Sequence, residues 1–180
     1  MRLFIGIPLA AEVMEVLAAL TARLKSPSDG LRWSAPEVWH ITLQFLGQTS
    51  AEQYACVQAG LWRIRHAPFE VQLEPPAFFD RAGVFFAGVR LSPELIHLQE
   101  QVVAATKPCG FEPEDRPYHP HITLARDNGG RQGLRELKSR VSADVQFTDF
   151  RAKEFLLYQS FPGPGGSRYE VRERFALTRL

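Results

Sequence analysis

Five of the 180 residues are histidine, and two of these open the same four-residue phrase. His40-Ile41-Thr42-Leu43 and His121-Ile122-Thr123-Leu124 stand 81 positions apart. With seven threonines in the chain, chance placement gives about 0.2 His-x-Thr triplets, so a doubled one points to an internal repeat. Both copies sit in stretches that alternate as strands do, where residues i and i+2 share a face. His40 and Thr42 then point one way and Ile41 and Leu43 the other. The same holds for His121 and Thr123 against Ile122 and Leu124. The apolar faces belong to a core, which leaves the polar faces for chemistry.

Two facing histidines suit acid–base work, because imidazole titrates near neutrality and one ring can be acid while the other is base. Cleavage of a phosphodiester by in-line displacement needs that pairing. A neutral imidazole takes a proton from attacking water, and a protonated one gives a proton to the departing oxygen. Charge gathers on the non-bridging phosphate oxygens, and a hydroxyl two residues from each histidine is placed to donate to it. The scheme needs neither metal nor cofactor.

The elements that position these strands follow from apolar spacing. Leu3, Ile5 and Ile7 alternate as a first strand, while Val13, Val16, Leu17, Leu20 and Leu24 recur as a helix face ending at Ser26-Pro27-Ser28-Asp29-Gly30. The first His-x-Thr strand spans about 39–46. Ser50 and Gln53 make a capping box for a helix with Tyr54, Val57, Leu61 and Ile64 inward. Phe69, Val71 and Leu73 form a strand closed by Pro75-Pro76. A strand over 84–91, a helix opened by Ser92-Pro93 and running to about Thr106, and the second His-x-Thr strand come next. A short helix carries Leu134, Leu137 and Val141 among Arg131, Arg135, Lys138 and Arg140. Strands over 143–150, 154–160 and 168–177 end the chain, the last two joined by the Gly163–Gly166 turn. Tight joints between strands require antiparallel pairing. The fold class is therefore α+β, one two-lobed domain over residues 1–180, each half built around one His-x-Thr strand.

Composition narrows the setting. Apolar residues at 45% and charged residues at 23% are those of an ordinary globular domain. A net charge of +1 argues against broad non-specific nucleic-acid binding but allows recognition of one phosphate or one RNA end. Pro8, Glu12 and Glu15 favour a first strand over a signal peptide, and no stretch reaches membrane-spanning length. A cytoplasmic monomer without membrane attachment is expected. Cys56 and Cys109 lack C-x-x-C spacing, so neither a zinc site nor a disulfide scaffold is indicated.

His40–Gly47 (His-Ile-Thr-Leu-Gln-Phe-Leu-Gly) and Arg116–Arg126 (Arg-Pro-Tyr-His-Pro-His-Ile-Thr-Leu-Ala-Arg) resemble the paired motifs of the 2H phosphoesterase superfamily. The whole chain, from its Arg2-Leu3-Phe4-Ile5 opening, is similar to RNA 2′,3′-cyclic phosphodiesterases, also called 2′-5′ RNA ligases. That resemblance implies a bilobal fold with two pseudo-symmetric, mainly antiparallel sheets facing each other across a cleft. It implies hydrolysis of an RNA 2′,3′-cyclic phosphate end to a 2′-phosphate. By position, His40 is then the proton donor to the leaving 3′-oxygen and His121 the acceptor from water, with Thr42 and Thr123 on the phosphate oxygens. The positions five after each histidine, Phe45 and Arg126, also contribute in the family. Strand parity places both on the face opposite the histidines. Arg126 reaches the cleft as a phosphate ligand only if the strand ends or bulges near Ala125, and Phe45 is assigned to the core.

Other readings stay open. His119 and His121 share a face and could start a metal site, but a third ligand is not evident. His119-Pro120-His121 also hints at histidine-triad hydrolases, although Thr123 stands where a third histidine is needed. Tyr118, Trp39, Phe78 and Phe79 are candidate base platforms, and Arg168, Arg172 and Arg174 a basic face for RNA. His66 and His97 suit structural roles. The same two-histidine chemistry also serves 2′-5′ oligonucleotide or cyclic-nucleotide cleavage and reversible 2′-5′ ligation, and a non-catalytic RNA-end binder is a further alternative.

Overall fold

Strand pairing decides this architecture, and it does so by exchange between the two halves of the chain. A computed structural model describes residues 1–129, 132–142 and 145–178. Strand β1 (Arg2–Pro8) leads through helix α1 (Ala11–Leu24) to β2 (Leu31–Trp33), a 3-10 turn at Pro36–Val38 and β3 (His40–Gln48). Helix α2 (Ala51–Leu61), β4 (Phe69–Val71), β5 (Leu73–Phe79) and β6 (Val84–Val89) follow. Helix α3 (Pro93–Thr106) precedes β7 (His121–Asp127), α4 (Gln132–Arg140), β8 (Phe150–Ala152), β9 (Glu154–Phe161) and β10 (Arg168–Ala176).

One four-stranded sheet has the order β10-β9-β1-β3 and carries the first motif; a second, β2-β7-β6-β5, carries the second motif, and β4 and β8 form a two-stranded third. β9 and β10 of the later half complete the first motif's sheet, and β2 of the earlier half borders β7. Every pair is antiparallel. The larger of two buried clusters accordingly runs from Leu3 to Leu177 through both four-stranded sheets and all four helices, and the smaller comprises Phe4, Leu156 and Tyr158.

The helices form where their apolar spacing and caps place them. Val13, Leu17, Leu20 and Leu24 are the buried stripe of α1. Ser50 and Gln53 close the capping box of α2, and the Ser92 hydroxyl accepts from the Leu95 N–H at the start of α3, with proline in its first turn. Helices α2 and α3 approach so closely that a Cβ on Gly60 would stand 2.7 Å from the Ala105 carbonyl oxygen.

Four local readings are corrected. Pro75-Pro76 lies inside β5, which tolerates proline because it is an edge strand with a register shift between Glu74 and Pro76. The stretch read as one strand from Phe69 is two, because Phe69–Val71 pairs with β8 and Leu73 onward pairs with β6. The strand expected over 143–150 begins only at Phe150; its start, Ala143, and Arg131 of the basic helix lie outside the described residues. Cys56 and Cys109 form a disulfide, with Cα atoms 5.7 Å apart. Helix contact explains it: Cys56 is one turn before Gly60 and Cys109 one turn beyond Ala105, so antiparallel packing brings the pair together. Spacing rules for short-range motifs carry no information about such a contact.

Candidate active site

Ile41, Leu43, Ile122 and Leu124 are at most 2% exposed, so the inward halves of both phrases are core. Their partners turn to a common gap. His40, Thr42 and Phe45 from β3, His121, Thr123 and Arg126 from β7, and Ser34, Val38 and Tyr169 line one cleft of about 110 Å³. At roughly 30 Å³ per water molecule, that is the space of three or four waters, a size suited to one phosphate group. The cleft thus gathers residues from both sheets, with the two histidines contributed by different halves.

Each ring is held in the same way. Nδ1 of His40 donates to the Val38 carbonyl at 2.8 Å, and Nδ1 of His121 donates to the His119 carbonyl, also at 2.8 Å. A carbonyl can only accept, so both Nδ1 atoms carry hydrogen and both Nε2 atoms are left for chemistry. Nε2 of His40 meets the Thr42 hydroxyl at 3.0 Å. Aromatic walls fix the ring planes: Phe4, Tyr158 and Tyr169 around His40, and Phe79 and Phe86 around His121. Gly6 leaves room for the first of these rings, since a Cβ there would lie 3.2 Å from His40 Cδ2 and 2.8 Å from the Ile41 carbonyl oxygen. The Tyr118 hydroxyl, three residues before the second motif, donates to the Thr42 carbonyl at 2.8 Å and so ties the second motif's approach to the first motif's strand.

Electrostatics favour the neutral form of both imidazoles. Burial is the main cause for His40, whose pKa falls to about 4; the Val38 carbonyl opposes this and the charge of His121 adds to it. Burial also lowers His121, with the His119 carbonyl opposing and the charges of His119 and Arg126 reinforcing. The hydrogen bond that orients His121 is exposed and that of His40 is partly buried, so His121 is the more open ring.

The bulge needed for Arg126 is present. β7 slips register between Ala125, opposite Phe85, and Thr123, opposite Phe86, so that Leu124 and Ala125 both face the core and Arg126 returns to the cleft. β3 slips at the matching place, between Thr42 and Gln44, burying Leu43 and Gln44 together. Phe45 is therefore 60% exposed on the cleft face, which corrects its assignment to the core.

The remaining candidates scatter. Trp39 is buried in the core, whereas Phe79 stands beside both His119 and His121. Arg168 and Arg174 are engaged by Glu170 and Glu154, and Arg172 lies 6.0 Å from the Tyr54 ring. His66 is buried, bonded to the Ala67 carbonyl and packed on Phe69 and His97. Among the described residues no group of three or more His, Cys, Asp or Glu is arranged to hold a metal ion. A wider depression of about 340 Å³ between Asp29 and Arg140 touches neither motif. Sequence reasoning missed Ser34 and Tyr169, which no spacing rule connects to the motifs.

Comparison with known proteins finds relatives along nearly the whole chain. The family model for the 2′-5′ RNA ligase superfamily matches residues 9–160. The RNA 2′,3′-cyclic phosphodiesterase of Escherichia coli K12 is 33% identical over 179 residues, covering 99% of this chain and 97% of that protein. The crystal structure of E. coli LigT in apo form superposes with a TM-score of 0.79 at 32% identity, covering 99% of this chain and 98% of that one. A crystal structure from Thermus thermophilus, that of TT0787, gives a TM-score of 0.81 at 28% identity, covering 99% of each chain. No helix among the described residues is long and apolar enough to cross a membrane.

Proposed function

The chain belongs to the 2′-5′ RNA ligase superfamily, and we propose that it is an RNA 2′,3′-cyclic phosphodiesterase that opens a terminal cyclic phosphate to a 2′-phosphate. The observation that carries this is the matched pair of imidazoles lining one phosphate-sized cleft, each with Nδ1 fixed on a backbone carbonyl, the His40 Nε2 meeting the Thr42 hydroxyl of the same cleft.

The reaction follows from the groups present. The cyclic phosphate seats with its non-bridging oxygens on the Thr42 and Thr123 hydroxyls and the Arg126 guanidinium. His121 Nε2 takes a proton from water, whose oxygen bonds to phosphorus. The bond from phosphorus to the 3′-oxygen breaks, and that oxygen receives a proton from His40 Nε2. Products are a 2′-phosphate and a 3′-hydroxyl, and the two histidines exchange protonation states. The openness of His121 suits the water side and the enclosure of His40 the ribose side. His40 must be protonated to serve, and an anionic phosphate against Nε2 raises the pKa that burial lowered. All groups come from one two-lobed domain acting as a monomer in the cytoplasm.

The test is hydrolysis of an RNA ending in 2′,3′-cyclic phosphate, in the presence of a chelator, with the product phosphate mapped to the 2′ or 3′ position. Release of a 3′-phosphate would reverse the placing of the ribose oxygens. Activity that vanishes with chelator and returns with Zn²⁺ would overturn the two-histidine scheme.

A further inference from the structure

Arg32 stands directly opposite Arg126 in the β2–β7 ladder, so both guanidiniums rise from the cleft face of that sheet. Ser34, two residues on from Arg32 and on the same side, lines the cleft. Arg2 lies two residues before Phe4, on the face of β1 whose Phe4 ring packs against His40. The positive charges of Arg126, Arg2 and Arg32 all bear on the Tyr169 hydroxyl at the cleft wall, pulling its pKa down against the larger upward effect of burial. Three arginines from three strands thus converge on one tyrosine.

Folding gains nothing from this arrangement. All three arginines are exposed, and among the described residues none has a carboxylate within ion-pair distance; the pairs present use Arg116, Lys138, Arg151, Arg168 and Arg174. Like charges directly opposed across a sheet are destabilising. An extended anion laid across the row offsets that repulsion, and guanidinium is the group best shaped for phosphate oxygens. Arg126 is already committed to the reacting phosphate, which leaves Arg32 and Arg2 for a neighbouring one.

We propose that Arg32 and Arg2 seat the internucleotide phosphate on the 5′ side of the reacting one, so that the preferred substrate is an oligonucleotide end and not a free cyclic mononucleotide. This rests on the reading of His40 and His121 given above. The terminal nucleoside then spans from the histidines to the Arg32–Arg2 pair, passing Tyr169.

The experiment compares Arg32→Ala, Arg2→Ala and the double variant on two substrates: a short RNA ending in 2′,3′-cyclic phosphate, and a 2′,3′-cyclic mononucleotide without a 5′-phosphate. Each single variant should raise KM for the RNA about ten-fold with kcat little changed, lower the salt slope by about 1, and leave the mononucleotide kcat/KM within about two-fold. Equal loss on both substrates, or no loss on either, overturns the seat. A binding arm uses the same RNA carrying a 2′-phosphate, which needs no turnover. Weakening of about ten-fold in Arg32→Ala supports the seat even if the wild type hydrolyses neither substrate, a result that would sink the reaction alone. Melting temperatures should stay equal or rise as the repulsion with Arg126 is removed. A fall of several degrees with loss on both substrates marks a structural role and overturns the proposal.

Discussion

Phe45 and Arg126 occupy the same place in the two halves of the protein. Each lies five residues after a motif histidine, and each is turned to the cleft by a register slip at the leucine that ends the His-Ile-Thr-Leu phrase. Without the slip, period-2 alternation sends both side chains to the opposite face. The slip buries two consecutive residues, Leu43 with Gln44 and Leu124 with Ala125, and returns the next side chain to the site. One geometric device thus delivers an aromatic ring on one wall and a cation on the other.

Because Phe45 is mostly exposed, its removal should leave stability almost untouched, within about 0.5 kcal/mol. Leu124→Ala, by contrast, empties a fully buried position and should cost about 2–5 kcal/mol. Arg126→Ala should lower kcat/KM by about 10²-fold or more, and Arg126→Lys should recover only part, since an ammonium cannot make the bidentate contact. Urea unfolding and steady-state kinetics on these variants check this. A Phe45→Ala protein as unstable as Leu124→Ala would place that ring in the core after all.

The same bulges mark where the sequence stops being legible. Alternation in Leu3–Ile7 and in both His-x-Thr phrases, the helical stripe of α1 and the Ser50 and Ser92 caps are local signals, and the elements form where these lie. A bulge obeys no local signal that one chain displays, so Phe45 read as core and Arg126 stayed conditional. Short β2 has three residues and no alternation to count, yet it sets Arg32 opposite Arg126. Tyr169 reaches His40 through the β10-β9-β1 pairing, a tertiary relation between positions 129 residues apart. The Cys56–Cys109 contact follows from helix packing, which the spacing of two cysteines does not encode.

Acidity should govern activity through the two rings. In the free protein both pKa values lie below 6.5, that of His40 at about 4. The bell-shaped kcat/KM profile, which reports the free enzyme, should therefore centre on the acid side of pH 6.5. Bound phosphate raises both rings, so the kcat profile should be displaced to higher pH. His40→Ala and His121→Ala should each remove nearly all turnover. Near wild-type rate in either variant, or coincident kcat and kcat/KM profiles, would refute the assignment.

Stability carries the sign of the same shift. His40 titrates near 6.5 when unfolded and about 4 when folded, so the unfolded chain binds more protons between these values. The contribution of the neutral ring is fully present above pH 6.5 and is lost as pH falls toward 4. His40→Gln should lose less stability than wild type across that window, as read from urea midpoints at pH 7.5, 6 and 4.5. Parallel losses would mean that other groups dominate.

Gly6 sets the depth of the His40 ring. A methyl group there must push on the Ile41 carbonyl, which is backbone and cannot swing aside, and on the ring itself. Gly6→Ala should keep the fold but tilt His40, reducing kcat by about ten-fold or more with KM little changed. The ring's proton signals and pKa by NMR should shift in the variant. Normal kcat with an unmoved His40 resonance would show that the strand yields elsewhere.

The disulfide should act on stability and spare the chemistry. It closes a loop of 53 residues, for which chain entropy gives about 4 kcal/mol, with measured bridges usually nearer 2–4. Reduction, or Cys56→Ser, should lower Tm by about 5–15 °C in a protein of this size. Cys56 is exposed, so reductant reaches the bridge in the folded state. Neither cysteine lines the cleft, and the bridge joins α2 to the turn after α3, so kcat at 25 °C should be the same in both redox states. In a compartment whose thiols are kept reduced, the working enzyme is the dithiol form, with α2 and α3 still held by their buried apolar faces, the close Gly60–Ala105 approach and the Gln53 amide donating to the Cys109 carbonyl. Calorimetry with and without reductant, alongside turnover, separates the two roles. Equal Tm values would show that the loop is already constrained by packing, whereas a matched fall in kcat would show that α2 and α3 transmit strain to β3.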